Sequence, residues 1–126
     1  MYDRRNHQRI NTKFLVNCSK RNSQTLQQER FLAYSKNISS NGIHLVVSKR
    51  LQDGERLNMS LELPDFFLPV SASGEVMWNQ ESFDFNNSGK PNKIYEIGVR
   101  FNYIDLKDQE KLKNFLDKRL NKKVPA

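Results

Sequence analysis

A single cysteine, Cys18, stands in a chain of 126 residues. One thiol excludes an internal disulfide and any zinc site built from a cysteine cluster. Histidine is nearly as scarce: only His7 and His44 are present, and no HExxH pair exists. The five glycines form neither a GxGxxG nor a GKS/T loop, which excludes a mononucleotide P-loop. No stretch approaches the ~20 consecutive apolar residues needed to span a bilayer. The opening run Met1-Tyr2-Asp3-Arg4-Arg5-Asn6-His7-Gln8-Arg9 has no apolar segment behind its charges, so no signal peptide is expected and the protein reads as cytoplasmic. Cys18 shares its parity with Phe14 and Val16 and reads as a core thiol. No base–nucleophile pair can be assembled, so neither an enzyme nor a bound cofactor is expected.

What the chain does have is positive charge. Lys plus Arg number 21 against 14 Asp plus Glu, a formal net charge of +7. The length fits one domain, large enough to bury one core. The charge is uneven: seven basic residues face two acidic ones over 1–30, seven face eight over 31–104, and seven face four over 105–126. A basic arm before a neutral body points to an anionic partner. Phosphodiester, membrane surface and acidic protein all remain open on charge alone.

Periodicity supplies the architecture. Residues 1–13 are polar and without hydrophobic period, and read as a flexible arm. Phe14 to Cys18 is a short β-prone run, and the polar stretch 19–30 reads as a loop or a long hairpin tip. Phe31 to Lys36 is a strand. In the next one, Ile43, Leu45 and Val47 alternate with His44 and Val46, so His44 reads as a solvated edge residue. Asp53-Gly54 marks a turn. Leu57, Met59, Leu61 and Leu63 then alternate with Asn58, Ser60 and Glu62, the period of two that marks a half-buried strand.

Val70, Ala72, Gly74, Val76 and Trp78 share one face by the same rule, which puts Trp78 in the core. Gly74 inside a strand signals a bulge or a close backbone approach. Residues 81–93 read as a long polar hairpin loop. Tyr95, Ile97, Val99 and Phe101 alternate with Glu96, Gly98, Arg100 and Asn102, leaving Arg100 solvated. The period then becomes helical, with Leu112, Phe115, Leu116 and Leu120 on one face and Asp105 as N-cap. The expectation is an all-β domain with a C-terminal α-helix: an arm over 1–13, a six-stranded antiparallel β-barrel over 14–104, a helix over 105–121 packed on the barrel, and a basic tail over 122–126.

Two polar constellations stand apart from this scaffold. The first is Arg5-Asn6-His7-Gln8-Arg9. Each arginine offers a planar fork of donors that grips phosphate or reads guanine at O6 and N7. The second is Asn37-Ile38-Ser39-Ser40-Asn41-Gly42, a polar turn between apolar strands. Its Asn and Ser can bond their own backbone, and Gly42 can take a positive φ. Asn37 and Ser39, two apart on a strand end, are expected to point the same way.

Together these segments resemble the PilZ domain family, which carries RxxxR in an N-terminal arm and [D/N]xSxxG about thirty residues later. Arg5…Arg9 and Asn37-x-Ser39-x-x-Gly42 match in order and spacing. Gly74-Glu75-Val76-Met77-Trp78 looks like the family's GxVxW strand, and Ile97-Gly98-Val99-Arg100-Phe101 like its hGVxF strand. The resemblance implies a six-stranded barrel with a C-terminal helix and a receptor for cyclic di-GMP, the bacterial second messenger. Arg5 and Arg9 would meet its phosphates and guanines, Asn37 and Ser39 would bond it from the barrel wall, and Gly42 would allow close approach. Arg4, just ahead of the motif, implies two mutually intercalated ligand molecules per chain. Asn37 stands where aspartate is commoner. The chain is then expected to be a stand-alone receptor, ordering its arm on the ligand and relaying to an unidentified downstream protein.

Two other readings stay open. One is a PilZ-like interaction adaptor that needs no ligand. The other is a small nucleic-acid-binding barrel, which the inward parity of Phe and Tyr disfavours, so neither nucleic acid nor membrane insertion is expected.

Overall fold

The computed structural model describes residues 8–22, 24–85 and 89–122. Arg4, Arg5 and most of the expected basic tail therefore lie outside the described residues. The elements are β1 (Ile10–Asn11), β2 (Leu15–Arg21), β3 (Gln28–Ile38), β4 (Gly42–Val47), β5 (Arg56–Leu61), β6 (Val70–Phe85), β7 (Pro91–Tyr103) and α1 (Leu106–Lys122). Every strand pairing is antiparallel, running β3-β2-β5-β6-β7-β4. A further β3–β4 pairing closes the circle, giving a six-stranded antiparallel barrel with one C-terminal helix. Closure removes the sheet edges that an open sheet leaves exposed.

The alternating positions fill the barrel as their period demands. Val16, Ile38, Ile43, Leu45, Leu57, Leu61, Val70 and Ile97 are all buried. The turn at Asp53-Gly54 is present, with Gly54 at φ 90°, a conformation glycine adopts without a Cβ penalty. Gly74 sits at a register shift. A Cβ there would strike the Val99 side chain and the Arg100 carbonyl, the close approach its place in a strand implies. Burial pushes the Cys18 thiol up to about 12, which fits an inert core thiol.

Helix α1 starts where expected. Asp105 Oδ1 accepts from the Asp108 amide at 2.9 Å, and the Asp105 carbonyl takes the Gln109 amide at 2.8 Å. Leu112, Phe115 and Leu116 are buried. The Phe115 ring meets Phe14 edge-on, centroids 6.3 Å apart, so the helix plugs the barrel beside the start of β2.

Several expectations need correction. Of the two readings of the stretch 19–30 the hairpin holds and the loop does not: Ser19, Lys20 and Arg21 pair with Arg30, Glu29 and Gln28. The expected loop over 81–93 is instead strand over 81–85 and 91–93. The ladder runs from Asn79↔Ile97 out to Phe85↔Pro91. These residues look polar because the ribbon leaves the barrel and has no core to face, yet cross-strand bonds still satisfy its backbone. Aromatic parity also fails in part: Tyr34, Phe67, Phe83, Phe85 and Tyr103 are exposed.

The arm's last residues belong to the fold. Ile10 is 2 % exposed and pairs with Ile38. β1 and β2 lie end to end along one side of β3, and the gap between them is stitched by buried Ser35. Its hydroxyl donates to the Thr12 carbonyl at 2.6 Å and accepts from the Phe14 amide at 2.9 Å.

Candidate functional site

Arg9, the last residue of the first constellation, meets Asn37, the first residue of the second, on the outer face of the barrel. Arg9 Nη1 donates to Asn37 Oδ1 at 2.8 Å. A residue of the first motif thus rests on the first residue of the second, 28 positions away. β1 makes this possible by holding Asn11 opposite Asn37.

Asn37 faces outward because β3 bulges. The register against β4 slips between Ser35 and Asn37, so Ser35 and Ile38 point inward while both Lys36 and Asn37 face the outer side. β6 repeats the device. Its register against β7 slips between Val76 and Trp78, and Trp78 is 41 % exposed. The expectation of a core Trp78 is therefore corrected: an extra residue in one strand reverses the parity of everything beyond it.

Once turned out, the Trp78 indole lies on Gly98, where a Cβ would fall within its ring. Its edge meets His44, ring centroids 5.0 Å apart and nearly perpendicular at 81°. His44 is also not the solvated edge residue expected, since its side chain is only 18 % exposed. Nε2 bonds Glu96 Oε1 at 2.8 Å, and Nδ1 lies 3.4 Å from Asn37 Nδ2. Lys36 Nζ donates to the same Glu96 oxygen at 3.3 Å. Burial pushes the Glu96 carboxyl up, but the bonds from His44 and Lys36 outweigh it and hold the group below the ordinary glutamate value. Arg9, Asn37, His44, Glu96 and Lys36 thus form one connected polar chain beneath an aromatic platform.

The rest of the second motif builds the turn. Ser39 is 1 % exposed. Its Oγ accepts from the amides of Asn41 at 3.2 Å and Gly42 at 3.3 Å, and its own amide donates to the Gly42 carbonyl at 2.9 Å. Ser39 and Asn37 therefore do not point the same way. Gly42 does not use a positive φ; it is small because a Cβ would run into the Val99 carbonyl. The Asn41 carbonyl accepts the Phe101 amide at 2.8 Å, pinning the turn to β7. Beside the turn, a groove of about 710 Å³ runs between β7 and α1, lined in part by Gln8, Ser40, Phe101 and Leu116.

Arg100 is exposed, with Glu75 as its ion-pair partner at 3.4 Å. Lys20 on β2 and Lys49 just past β4 form a separate cluster, in which Lys20 bonds Glu55 and Lys49 bonds Glu29 at 2.9 Å. Among the described residues, no group of three or more His, Cys, Asp or Glu could hold a metal ion, and no helix is long and apolar enough to cross a membrane.

The PilZ domain family profile matches residues 3–118. The chain belongs to the PilZ domain family. The fold agrees. The PilZ domain of YcgR from Escherichia coli, solved with c-di-GMP, superposes with a TM-score of 0.67 at 12 % identity, covering 95 % of this chain and 94 % of that one. MotI/DgrA of Bacillus subtilis, an inhibitor of motility, gives 0.63 at 23 % identity, covering 98 % of this chain and 55 % of its own. The MrkH–c-di-GMP complex from K. pneumonia gives 0.65 at 20 % identity, covering 97 % and 55 %. This PilZ chain thus spans about half the length of the latter two. No curated protein sequence matches it.

His44, Glu96 and Lys36 are functional candidates that motif spacing does not reveal. Their signal is three-dimensional, since they meet only when β3 and β7 both pair with β4.

Proposed function

We propose that this PilZ domain is a cyclic di-GMP receptor, binding through Arg5 and Arg9 from the arm and Asn37 from β3. Trp78 adds a stacking face and Arg100 a further donor at the rim. The observation that carries the reading is the 2.8 Å bond between Arg9 and Asn37, one residue from each motif. The ligand is a dianion with two guanines. Guanidinium forks suit its phosphates and Hoogsteen edges, and an exposed indole suits a purine face. Ser39 and Gly42 support binding by fixing the turn that carries Asn37. Arg4 stands just ahead of the first motif, an arrangement that in PilZ domains implies two intercalated ligands per chain. The arm ahead of Arg9 would close over the ligand against the rigid barrel and so signal to a downstream protein.

Calorimetric titration with cyclic di-GMP tests this directly. Micromolar or tighter binding with two ligands per chain is expected. Arg9→Ala should weaken it about 10- to 100-fold, the worth of one or two charge-assisted hydrogen bonds. Wild-type protein that ignores the ligand at high concentration refutes the reading, and saturation at one ligand per chain removes the role given to Arg4.

One observation favours a second reading, that of a ligand-independent adaptor. Phe83 and Phe85 are 55 % and 69 % exposed on the projecting β6–β7 ribbon, a surface suited to protein contact. A partner that binds equally with and without cyclic di-GMP would support it.

A further inference from the structure

The polar chain around Asn37 has only one consistent assignment of protons. Arg9 can only donate, so Asn37 must turn Oδ1 toward it. That leaves Asn37 Nδ2, a donor, facing His44 Nδ1 at 3.4 Å, and Nδ1 must accept. The imidazole proton therefore sits on Nε2, which donates to Glu96 Oε1 at 2.8 Å. Lys36, which also only donates, shares that oxygen. Every contact then has one donor and one acceptor, with His44 neutral.

We infer that His44 is a positioning residue that holds the Asn37 carboxamide with its oxygen toward the ligand, and that protonating His44 turns the carboxamide over. An imidazolium carries N–H at both nitrogens. Its Nδ1–H would confront Asn37 Nδ2, donor against donor. Relief comes when Asn37 rotates its amide and offers Oδ1 to His44. The nitrogen then faces Arg9, the bond between the motifs is lost, and the site loses an acceptor. The charged and titratable groups around His44 are Glu96 from β7, Lys36 from β3 through that carboxylate, and Arg9 through Asn37; the uncharged Trp78 edge from β6 closes the fourth side. None of them offers Nδ1–H another acceptor.

This deepens the receptor reading and rests on it. Asparagine and aspartate share an acceptor oxygen, and the guanine Watson–Crick edge presents N1–H and N2–H as donors. Oδ1 has a second lone pair beyond the one that Arg9 uses. Acidification sufficient to protonate the ring should thus weaken cyclic di-GMP binding about five- to tenfold, the worth of one neutral hydrogen bond. Charge alone predicts the opposite, because an imidazolium attracts a dianion.

Two measurements on the intact chain decide it. Nitrogen-15 NMR of the ligand-free protein should find His44 as the Nε2–H tautomer near pH 8, with the Asn37 side-chain amide shifting as the ring protonates. An Nδ1–H tautomer, or an Asn37 amide indifferent to that titration, overturns the inference without any ligand present. Calorimetry with cyclic di-GMP across the same range should then show the loss in wild type. His44→Gln keeps an acceptor for Asn37 that cannot protonate, and should flatten the profile. His44→Leu, with no acceptor, should bind weakly at every pH. Asn37→Asp accepts at both oxygens and should cease to weaken on acidification. A flat or rising wild-type affinity at low pH overturns the inference. Absence of binding at any pH refutes the receptor reading instead, and the NMR titration still decides the role of His44.

Discussion

Gly98→Ala tests the placement of the aromatic platform without altering a single polar group. A methyl at that position would fall within the Trp78 indole, so the ring must leave. The way out is open, because Trp78 is already 41 % exposed and can swing toward solvent. With the remainder covered, about 150 Å² of the residue is withdrawn from water. At ~25 cal/mol/Å² that area contributes about 4 kcal/mol at most. A ring lifted off Gly98 forfeits about half of it, together with the edge contact to His44, so the expected cost is about 2 kcal/mol. For a chain of 126 residues this corresponds to a fall in Tm of about 6 to 10 °C. The assay is unusually direct, since Trp78 is the one tryptophan in the chain. Its emission should move to longer wavelength as water gains the ring, and cyclic di-GMP should bind more weakly for want of a fixed stacking face. Unchanged emission with a Tm within about 2 °C of wild type would refute the packing of Trp78 on Gly98.

Other substitutions probe the scaffold. Phe115→Ala removes a ring that is 1 % exposed and stacked edge-on to Phe14; it should cost about 3 to 5 kcal/mol in chemical denaturation. Asp105→Ala deletes the N-cap of α1 and should cost about 1 kcal/mol, recoverable in Asp105→Ser. Cys18, buried with its thiol pushed up to about 12, should resist a thiol reagent at neutral pH until the protein unfolds. Glu96 is held low by its hydrogen bonds. Its stabilising effect is present above the ordinary glutamate value and should be lost as pH falls through the lower folded value, a loss that Glu96→Gln abolishes.

The barrel was legible because its strands obey a strict period of two where one face is buried. Leu57, Met59 and Leu61 on β5, and Ile43, Leu45 and Val47 on β4, fall inward without exception. The helix was legible for the analogous reason, and its cap at Asp105 follows from chemistry local to that position. The rule fails at the site. Asn37 and Trp78 each lie just past a bulge, and a single inserted residue inverts the parity from which orientation is read. Nothing in the local sequence marks either slip. Ser39 and Gly42 were visible as motif residues, but the motif does not say that one faces into its own turn or that the other makes room for Val99. The extension of β6 and β7 was hidden because a ribbon outside the barrel has no buried face, so its residues carry no hydrophobic alternation.

The site also depends on how the barrel closes. Asn37 and His44 belong to the β3–β4 hairpin, while Trp78, Glu96 and Gly98 belong to the β6–β7 hairpin, so the bond between His44 and Glu96 crosses the seam where the two are joined. That seam pairs residues roughly fifty positions apart, the kind of non-local contact that slows folding and forms only when the chain comes together as a whole. Neither hairpin alone holds the whole candidate site. A ligand held across the seam would staple the entire domain, and its binding should appear as resistance to global unfolding, growing with ligand concentration as RT ln(1 + [L]/Kd).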